Sequence, residues 1–121
     1  MAGVGEKKRP APPREEEILL QWGVQLAEEI ESLSSQGGSA IRHGHLQDAL
    51  EEASVVLEMA GYSDLARAAQ DLAERLAELR RRGGMRLTVA MVDNVRRSAK
   101  RLAGEMKHRM EERLAASTTS P

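Results

Sequence analysis

The sequence predicts an all-α protein, an antiparallel four-helix bundle with a disordered N-terminal arm. Ala, Leu, Glu and Arg dominate its 121 residues, whereas aromatic residues make up only 2% of them, a composition that disfavours a β-sandwich or barrel. Apolar residues recur at spacings of three and four in four separate segments, which is the period of an amphipathic helix. Short glycine-containing stretches separate these segments, as is typical of antiparallel bundles.

The two ends of the chain lack this periodicity. Residues 1–13 contain three of the four prolines and the basic run KKR (7–9), and they offer no apolar face that could be buried. We therefore expect a flexible basic arm over residues 1–13, a helical bundle over residues 14–116 and a frayed tail over residues 117–121.

The first predicted helix runs from about Arg14 to Ser35. Glutamates 15–17 fall in its first turn, where the helix dipole favours negative charge. Its main apolar stripe consists of Leu19, Trp22, Leu26, Ile30 and Leu33. A second apolar set lies off this stripe, namely Leu20, Val24 and Ala27. This set either packs under a neighbouring helix or forms a dimer seam, and we favour packing.

The second predicted helix runs from about Ser39 to Ala60. Gly44 weakens its first turns, so a start nearer His45 is an alternative. Its inner stripe consists of Leu46, Ala49, Leu50, Ala53, Val56, Leu57 and Ala60. Gly61 follows, and glycine is the residue that most often takes the left-handed conformation after a helix.

The last two predicted helices also begin with capping residues. Ser63 is a suitable N-cap for the third helix, which has Asp64 in its first turn and ends before Gly83 and Gly84. Its stripe consists of Leu65, Ala68, Ala69, Leu72, Leu76 and Leu79. Thr88 can cap the fourth helix. The stripe of that helix consists of Val92, Val95, Ala99, Leu102, Met106 and Met110.

Charge is distributed unevenly along the chain, although the formal net charge is only −1. Residues 1–13 carry a net charge of +2, residues 14–78 carry −10 and residues 79–121 carry +7. The first three helices are therefore acidic and the fourth is basic. Such asymmetry can steer partners or align molecules head to tail, so a homo-oligomer is one alternative.

Several classes of function are disfavoured by what the sequence lacks. Without cysteine it has no disulfide framework, iron–sulfur cluster or thiol nucleophile. No apolar run approaches the ~20 residues of a membrane span. The N-terminus also lacks the apolar centre of a signal peptide. We therefore expect a cytoplasmic protein with no membrane partner.

Candidate metal ligands are limited to three histidines, His43, His45 and His108, together with carboxylates. On a helix the side chains of His43 and His45 would point about 200° apart. The Glu105–His108 pair occurs once, whereas a di-iron bundle needs two Glu-x-x-His pairs. No nucleophile–base pair or glycine-rich phosphate loop is evident either. We predict no metal site, no cofactor and no catalytic residue, and therefore not an enzyme.

The basic fourth helix supports nucleic-acid binding as an alternative function. Its candidate phosphate-binding residues are Arg96, Arg97, Lys100, Arg101 and Lys107. The chain lacks the aromatic residues on which bases stack, however, and its other helices are acidic. We therefore rank nucleic acid below a protein as the expected partner.

A longer pattern extends from Leu46 to Met106. It consists of a helix, a tight turn at MAGYSDL (59–65), a further helix, a glycine-containing connection at RRGGMRLT (81–88) and a last helix. In this order of parts the stretch resembles the histidine phosphotransfer (HPt) domain, especially the N-terminal phosphotransfer domain of chemotaxis-type kinases. The resemblance implies a four-helix fold and a role in bacterial-type signalling.

The phospho-accepting motif of that family is not preserved. When Gly61 is aligned with the turn glycine, Glu51 takes the position of the phospho-accepting His and Ser54 that of the Lys three residues on. A carboxylate cannot act as the imidazole nucleophile, and Glu58 would repel a phosphate. We therefore predict a non-catalytic HPt-like adaptor that binds a response regulator, a kinase or another signalling protein without phosphotransfer. Its predicted partner-binding residues lie opposite the inner stripe of the second helix: Gln47, Asp48, Glu51, Ser54, Val55 and Glu58.

Overall fold

A computed structural model of the protein describes residues 11–36, 44–81 and 89–119. These residues form four helices, which are α1 (Ala11–Ser34), α2 (His45–Ala60), α3 (Ser63–Arg81) and α4 (Val89–Thr119). No strand occurs in the described part of the chain. The predicted all-α fold is confirmed.

The four helices form a bundle in which each packs against two neighbours. Helix α1 lies between α2 and α4, and α3 closes the ring by contacting the other sides of α2 and α4. Contacts at both ends of α1 show that it runs antiparallel to α4, because Ser34 meets Arg96 and Glu16 meets Arg113. The core lies along the central axis.

The predicted inner stripe of α2 is confirmed at every position. Its seven members are buried: Leu46, Ala49, Leu50, Ala53, Val56, Leu57 and Ala60. Helix α4 also buries the predicted Val95, Ala99, Leu102, Met106 and Met110. Ala103 is buried beside them, whereas the side chain of Val92 lies outside the described part.

The predicted stripe of α1 is partly wrong. Trp22 is 41% exposed, Leu19 and Leu33 are half-buried, and the set predicted to lie off the stripe holds the buried Leu20 and Ala27. Helix α1 is covered on two sides, by α2 and by α4, so its buried face is broader than one stripe. This second set therefore packs inside the bundle, as favoured above.

In α3 the predicted stripe differs from the buried residues at two positions. Ala68 is exposed, and Leu79 is only half-buried. Ala66 and Ala73 are buried instead. The physical reason is the same as for α1, because α3 buries the residues that turn toward both α2 and α4.

Several helix ends differ from the prediction. Helix α1 begins at Ala11, three residues earlier than expected, so glutamates 15–17 follow its first turn. Pro12 and Pro13 are compatible with this start because the first turn of a helix does not require their missing N–H groups. Helix α4 continues to Thr119. Residues 1–10, 37–43 and 82–88 lie outside the described part, and the Thr88 cap is among them.

The turn between α2 and α3 contains the expected left-handed glycine. Gly61 has φ of 92°, and its N–H donates to the carbonyl of Glu58 at 3.1 Å. The N–H of Tyr62 donates to the carbonyl of Leu57 at 2.8 Å, which completes a Schellman motif. The carbonyl of Tyr62 accepts the first helical hydrogen bond of α3, from Ala66 at 2.9 Å. Tyr62 is therefore the N-cap in place of the predicted Ser63.

Two arginines of α4 cap the C-terminal ends of other helices. The Arg96 Nε donates to the carbonyl of Ser34 at 2.6 Å, at the end of α1. The Arg113 Nη1 donates to the carbonyl of Ala60 at 2.8 Å, at the end of α2. A cation placed at these unpaired carbonyls also interacts favourably with the helix dipole.

Candidate partner-binding surface

The six predicted partner-binding residues all lie on the side of α2 that faces away from the core. Asp48, Glu51, Val55 and Glu58 are exposed, and Gln47 and Ser54 are half-buried. At about 100° per residue they form two rows. Asp48 and Val55 lie in the row nearer α1. The row nearer α3 consists of Gln47, Glu51, Ser54 and Glu58.

Local hydrogen bonds hold most of the row nearer α3. Gln47 donates through Nε2 to Glu51 Oε2 at 3.1 Å and accepts through Oε1 from Arg80 Nη1 at 3.0 Å. Ser54 Oγ donates to the carbonyl of Glu51 at 2.7 Å. Glu51, at the position where the resemblance places a His, is thus an exposed carboxylate. Ser54, at the position of the Lys, has a hydroxyl that bonds to its own helix.

A patch of exposed apolar side chains adjoins these residues. The described residues contain four large hydrophobic side chains that are exposed: Ile18 (61%), Trp22 (41%), Val55 (56%) and Met59 (63%). Two lie one turn apart on α1, and two lie one turn apart on the neighbouring α2. We call these four residues the apolar patch.

Only one member of the apolar patch was among the predicted site residues, namely Val55. Met59 can be recognised as exposed from the sequence, because it lies one turn after Val55 and off the inner stripe. Ile18 also lies off the stripe of α1, one turn before Trp22. The exposure of Trp22 had no such signal, because its spacing places it on the apolar stripe of α1.

Two shallow grooves meet at Met59. A groove of about 550 Å³ lies between the start of α1 and the end of α2, and Ile18, Trp22 and Met59 line it. A second groove of about 650 Å³ lies between α2 and α3, and its walls include Val55, Met59 and Arg67. The apolar patch therefore continues from α1 across α2 to the edge of α3.

The surface around the apolar patch is mostly acidic, although each groove also contains one arginine, Arg113 in the first and Arg67 in the second. Residues 15–36 and 44–60, which form nearly all of α1 and α2, contain ten Asp and Glu residues and no Lys or Arg. One of these carboxylates contacts the patch directly, because Trp22 Nε1 donates to Glu52 Oε2 at 3.2 Å. That bond places the indole ring over the boundary between α1 and α2.

The predicted basic surface of α4 divides into two groups. Arg96 caps α1 and also contacts Asp93 at 3.4 Å, and Lys107 Nζ contacts Glu28 at 3.1 Å. The hydrogen bond that Lys107 donates to the Glu28 carboxylate raises the pKa of Lys107 above its ordinary value. These two side chains hold α4 against the bundle. The remaining three are exposed: Arg97, Lys100 and Arg101.

The other candidate metal-ligating side chains do not come together in the described part of the chain. His45 and His108 are exposed, and His108 Nε2 lies 3.5 Å from Glu112 Oε2. The described residues contain no group of three or more His, Cys, Asp or Glu that could hold a metal ion. His43 lies outside them.

Met106 and Met110 are fully buried and fill the core. None of the described helices has both the length and the apolar character needed to cross a bilayer.

The fold and the surface define a four-helix bundle with an apolar patch set in an acidic face. Comparison of the chain with protein-family models, with curated proteins and with solved structures finds no match. The surface itself is therefore the basis of the functional argument.

Proposed function

We propose that this chain is a non-catalytic, HPt-like helical adaptor that binds a protein partner through α2 and the adjoining face of α1. The partner is a signalling protein of the bacterial type, such as a response regulator or a kinase. The adaptor acts by binding alone, without phosphotransfer.

The observation that carries this proposal is the clustering of the four exposed hydrophobic side chains of the described residues. Scattered exposed apolar residues are ordinary, but a contiguous patch with a polar rim is characteristic of an interaction site. Moving a fully exposed hydrophobic side chain into a buried site is worth about 1.5–3 kcal/mol. The four side chains of the patch are 41–63% exposed, so covering each one gains roughly half of that value. Tryptophan is also among the residues that most often dominate binding energy at interfaces.

The absence of phosphotransfer rests on Glu51, Ser54 and Glu58. The exposed carboxylate of Glu51 takes the place of the histidine nucleophile, and the carboxylate of Glu58, two turns further, repels an incoming phosphoryl group. The Ser54 hydroxyl cannot supply the positive charge that a lysine gives the family. The HPt resemblance therefore supports the scaffold and its docking face but not the reaction.

Nucleic-acid binding through α4 is a second candidate, favoured by three exposed cations, Arg97, Lys100 and Arg101. Each phosphate contact on duplex DNA adds about 0.9 to the slope of log affinity against log salt. Three contacts therefore predict a slope of about −2.7. Retention on DNA that is indifferent to salt would exclude this candidate.

Self-assembly through the acidic and basic faces predicts oligomers that dissociate as salt is raised, which light scattering can measure.

Affinity capture tests the adaptor function. The tagged 121-residue chain is incubated with nuclease-treated native lysate, and the bound proteins are identified by mass spectrometry. Val55→Glu disrupts the apolar patch, whereas Ala68→Glu introduces the same charge at an exposed site on α3. We expect a signalling protein that is retained by wild type and by Ala68→Glu but lost with Val55→Glu. Equal recovery with all three variants contradicts the assigned surface.

A further inference from the structure

We infer that the apolar patch binds a basic amphipathic helix presented by the partner, an inference that rests on the proposed adaptor function and specifies the chemistry of its partner. Ile18 and Trp22 form a pair one turn apart on α1, and Val55 and Met59 form a second pair on α2. A helix that lies along this surface presents apolar side chains at i, i+3, i+4 and i+7, which is the spacing that two such pairs accept.

The side chains at the centre of the apolar patch are suited to receive such a helix. Trp22 is held at the boundary of α1 and α2 by its 3.2 Å hydrogen bond to Glu52, yet two-fifths of its surface remains open. Met59 lines the grooves on both sides of α2. Its unbranched side chain can adapt to different apolar partners, whereas the indole ring provides a rigid anchor.

The charge around the apolar patch selects a basic partner. The faces of α1 and α2 carry carboxylates without any lysine or arginine over residues 15–36 and 44–60. Glu15 lies in the groove beside Ile18, where Arg113 is paired with Glu16 and so leaves the Glu15 carboxylate in excess. Glu58 lies in the groove beside Val55, which also contains Arg67. Lys or Arg residues that flank the apolar side chains of a bound helix would meet these carboxylates, whereas acidic residues would be repelled.

A second copy of this chain satisfies these requirements less well. A twofold dimer through the apolar patch would place the acidic faces of both copies against each other. The basic side of α4, with Arg97, Lys100 and Arg101, offers complementary charge. None of the large hydrophobic side chains exposed in the described residues lies on α4, however, so a copy docked through α4 leaves the patch without an apolar partner.

Trp22 is the only tryptophan in the chain and lies in the apolar patch, so its fluorescence reports occupation of the site directly. The 121-residue protein is titrated with a Trp-free helical peptide of about 18 residues, with Leu at i, i+3, i+4 and i+7 and Lys between them. One control peptide replaces every Lys with Glu, and a second keeps Lys but replaces every Leu with Ser. We expect a saturable blue shift of Trp22 emission with the first peptide alone.

Variants of the protein locate the binding site. Met59→Ser is expected to weaken peptide binding about tenfold or more, because it removes a central apolar contact. Glu58→Lys is expected to weaken it about two- to fivefold at low salt, because it reverses a charge at the rim of the patch. Ala68→Ser, on the side of α3 that faces α4, should bind like wild type. Because these positions are all exposed, unfolding is not the expected outcome, and circular dichroism checks each fold.

Four results would overturn the inference. The first is an equal shift with the acidic peptide, and the second is an equal shift with the peptide that lacks Leu. The third is unchanged affinity in Met59→Ser. The fourth is emission that shifts with protein concentration alone, which would identify a second copy as the occupant. If capture returns a Val55-dependent signalling protein while the basic peptide fails to bind, the helix chemistry is wrong and the adaptor function stands.

Discussion

Replacing Gly23 with alanine tests how closely α1 and α4 approach each other. A Cβ at this position would overlap the Met110 side chain, lying 2.5 Å from Cε and even closer to Sδ, and would lie 3.6 Å from Val56 Cγ1. Both overlapping atoms belong to the flexible end of the Met110 side chain, which is fully buried, so that end must shift within a packed core. The absence of a side chain at Gly23 is therefore what permits this packing.

Two opposing effects determine the size of the change in stability. Alanine is favoured over glycine within a helix by about 0.5–1 kcal/mol. Overpacking a core typically reduces stability by about 1–3 kcal/mol. We expect Gly23→Ala to lower the free energy of unfolding by up to about 2.5 kcal/mol, measured by urea denaturation followed by circular dichroism.

Gly104 provides the matched control. It lies in α4, is exposed, and has no atom within 4 Å of the position that a Cβ would take. Gly104→Ala should therefore raise the free energy of unfolding by about 0.5–1 kcal/mol. In a Met110→Ala background the effect of Gly23→Ala should reverse in sign, because the overlapping atoms are gone. Equal stabilisation by Gly23→Ala and Gly104→Ala would refute the close approach of α1 and α4.

Two further predictions concern the basic residues of α4. Arg96→Met removes the cap on the carbonyl of Ser34 and should lower the free energy of unfolding by about 1–2 kcal/mol. Arg97→Met, at an exposed site, should change it by less than about 0.5 kcal/mol. Equal effects of the two substitutions in urea denaturation would contradict the capping role. The raised pKa of Lys107 means that its ion pair with Glu28 stabilises the fold below the ordinary pKa of 10.5 and loses this effect as pH rises past the folded-state value. The difference in urea midpoint between wild type and Lys107→Met should therefore be constant from neutral pH to about 9 and shrink above about 10.5. A difference that does not change with pH would contradict the stabilising role of the Lys107–Glu28 ion pair.

The helices and the core of α2 could be predicted from the sequence because they depend on local patterns. Every buried position of α2 follows the helical period, and Gly61 takes the left-handed conformation that its place after the helix indicates. These features require only one helix and its caps to be specified. How the helices are rotated about their axes is not among these features.

The rotation of α1 could not be predicted in this way. Trp22 falls on the apolar stripe by spacing, yet the small residues Gly23 and Ala27 take the interior positions because they allow helices to approach closely. The side chains that a neighbouring helix covers depend on how the two helices pack against each other. The apolar patch can therefore be identified only once α1 and α2 are placed together. The capping of helix ends by Arg96 and Arg113 is likewise a long-range contact that single-helix patterns do not contain.

The central claim is that a signalling partner binds across the apolar patch. Isothermal titration calorimetry with the purified partner identified by capture tests it most directly, using wild type, Met59→Glu and Ala68→Glu. We predict that Met59→Glu weakens binding at least about tenfold while Ala68→Glu binds like wild type. Equal affinity of Met59→Glu and wild type would place the partner on another face of the bundle and contradict the claim.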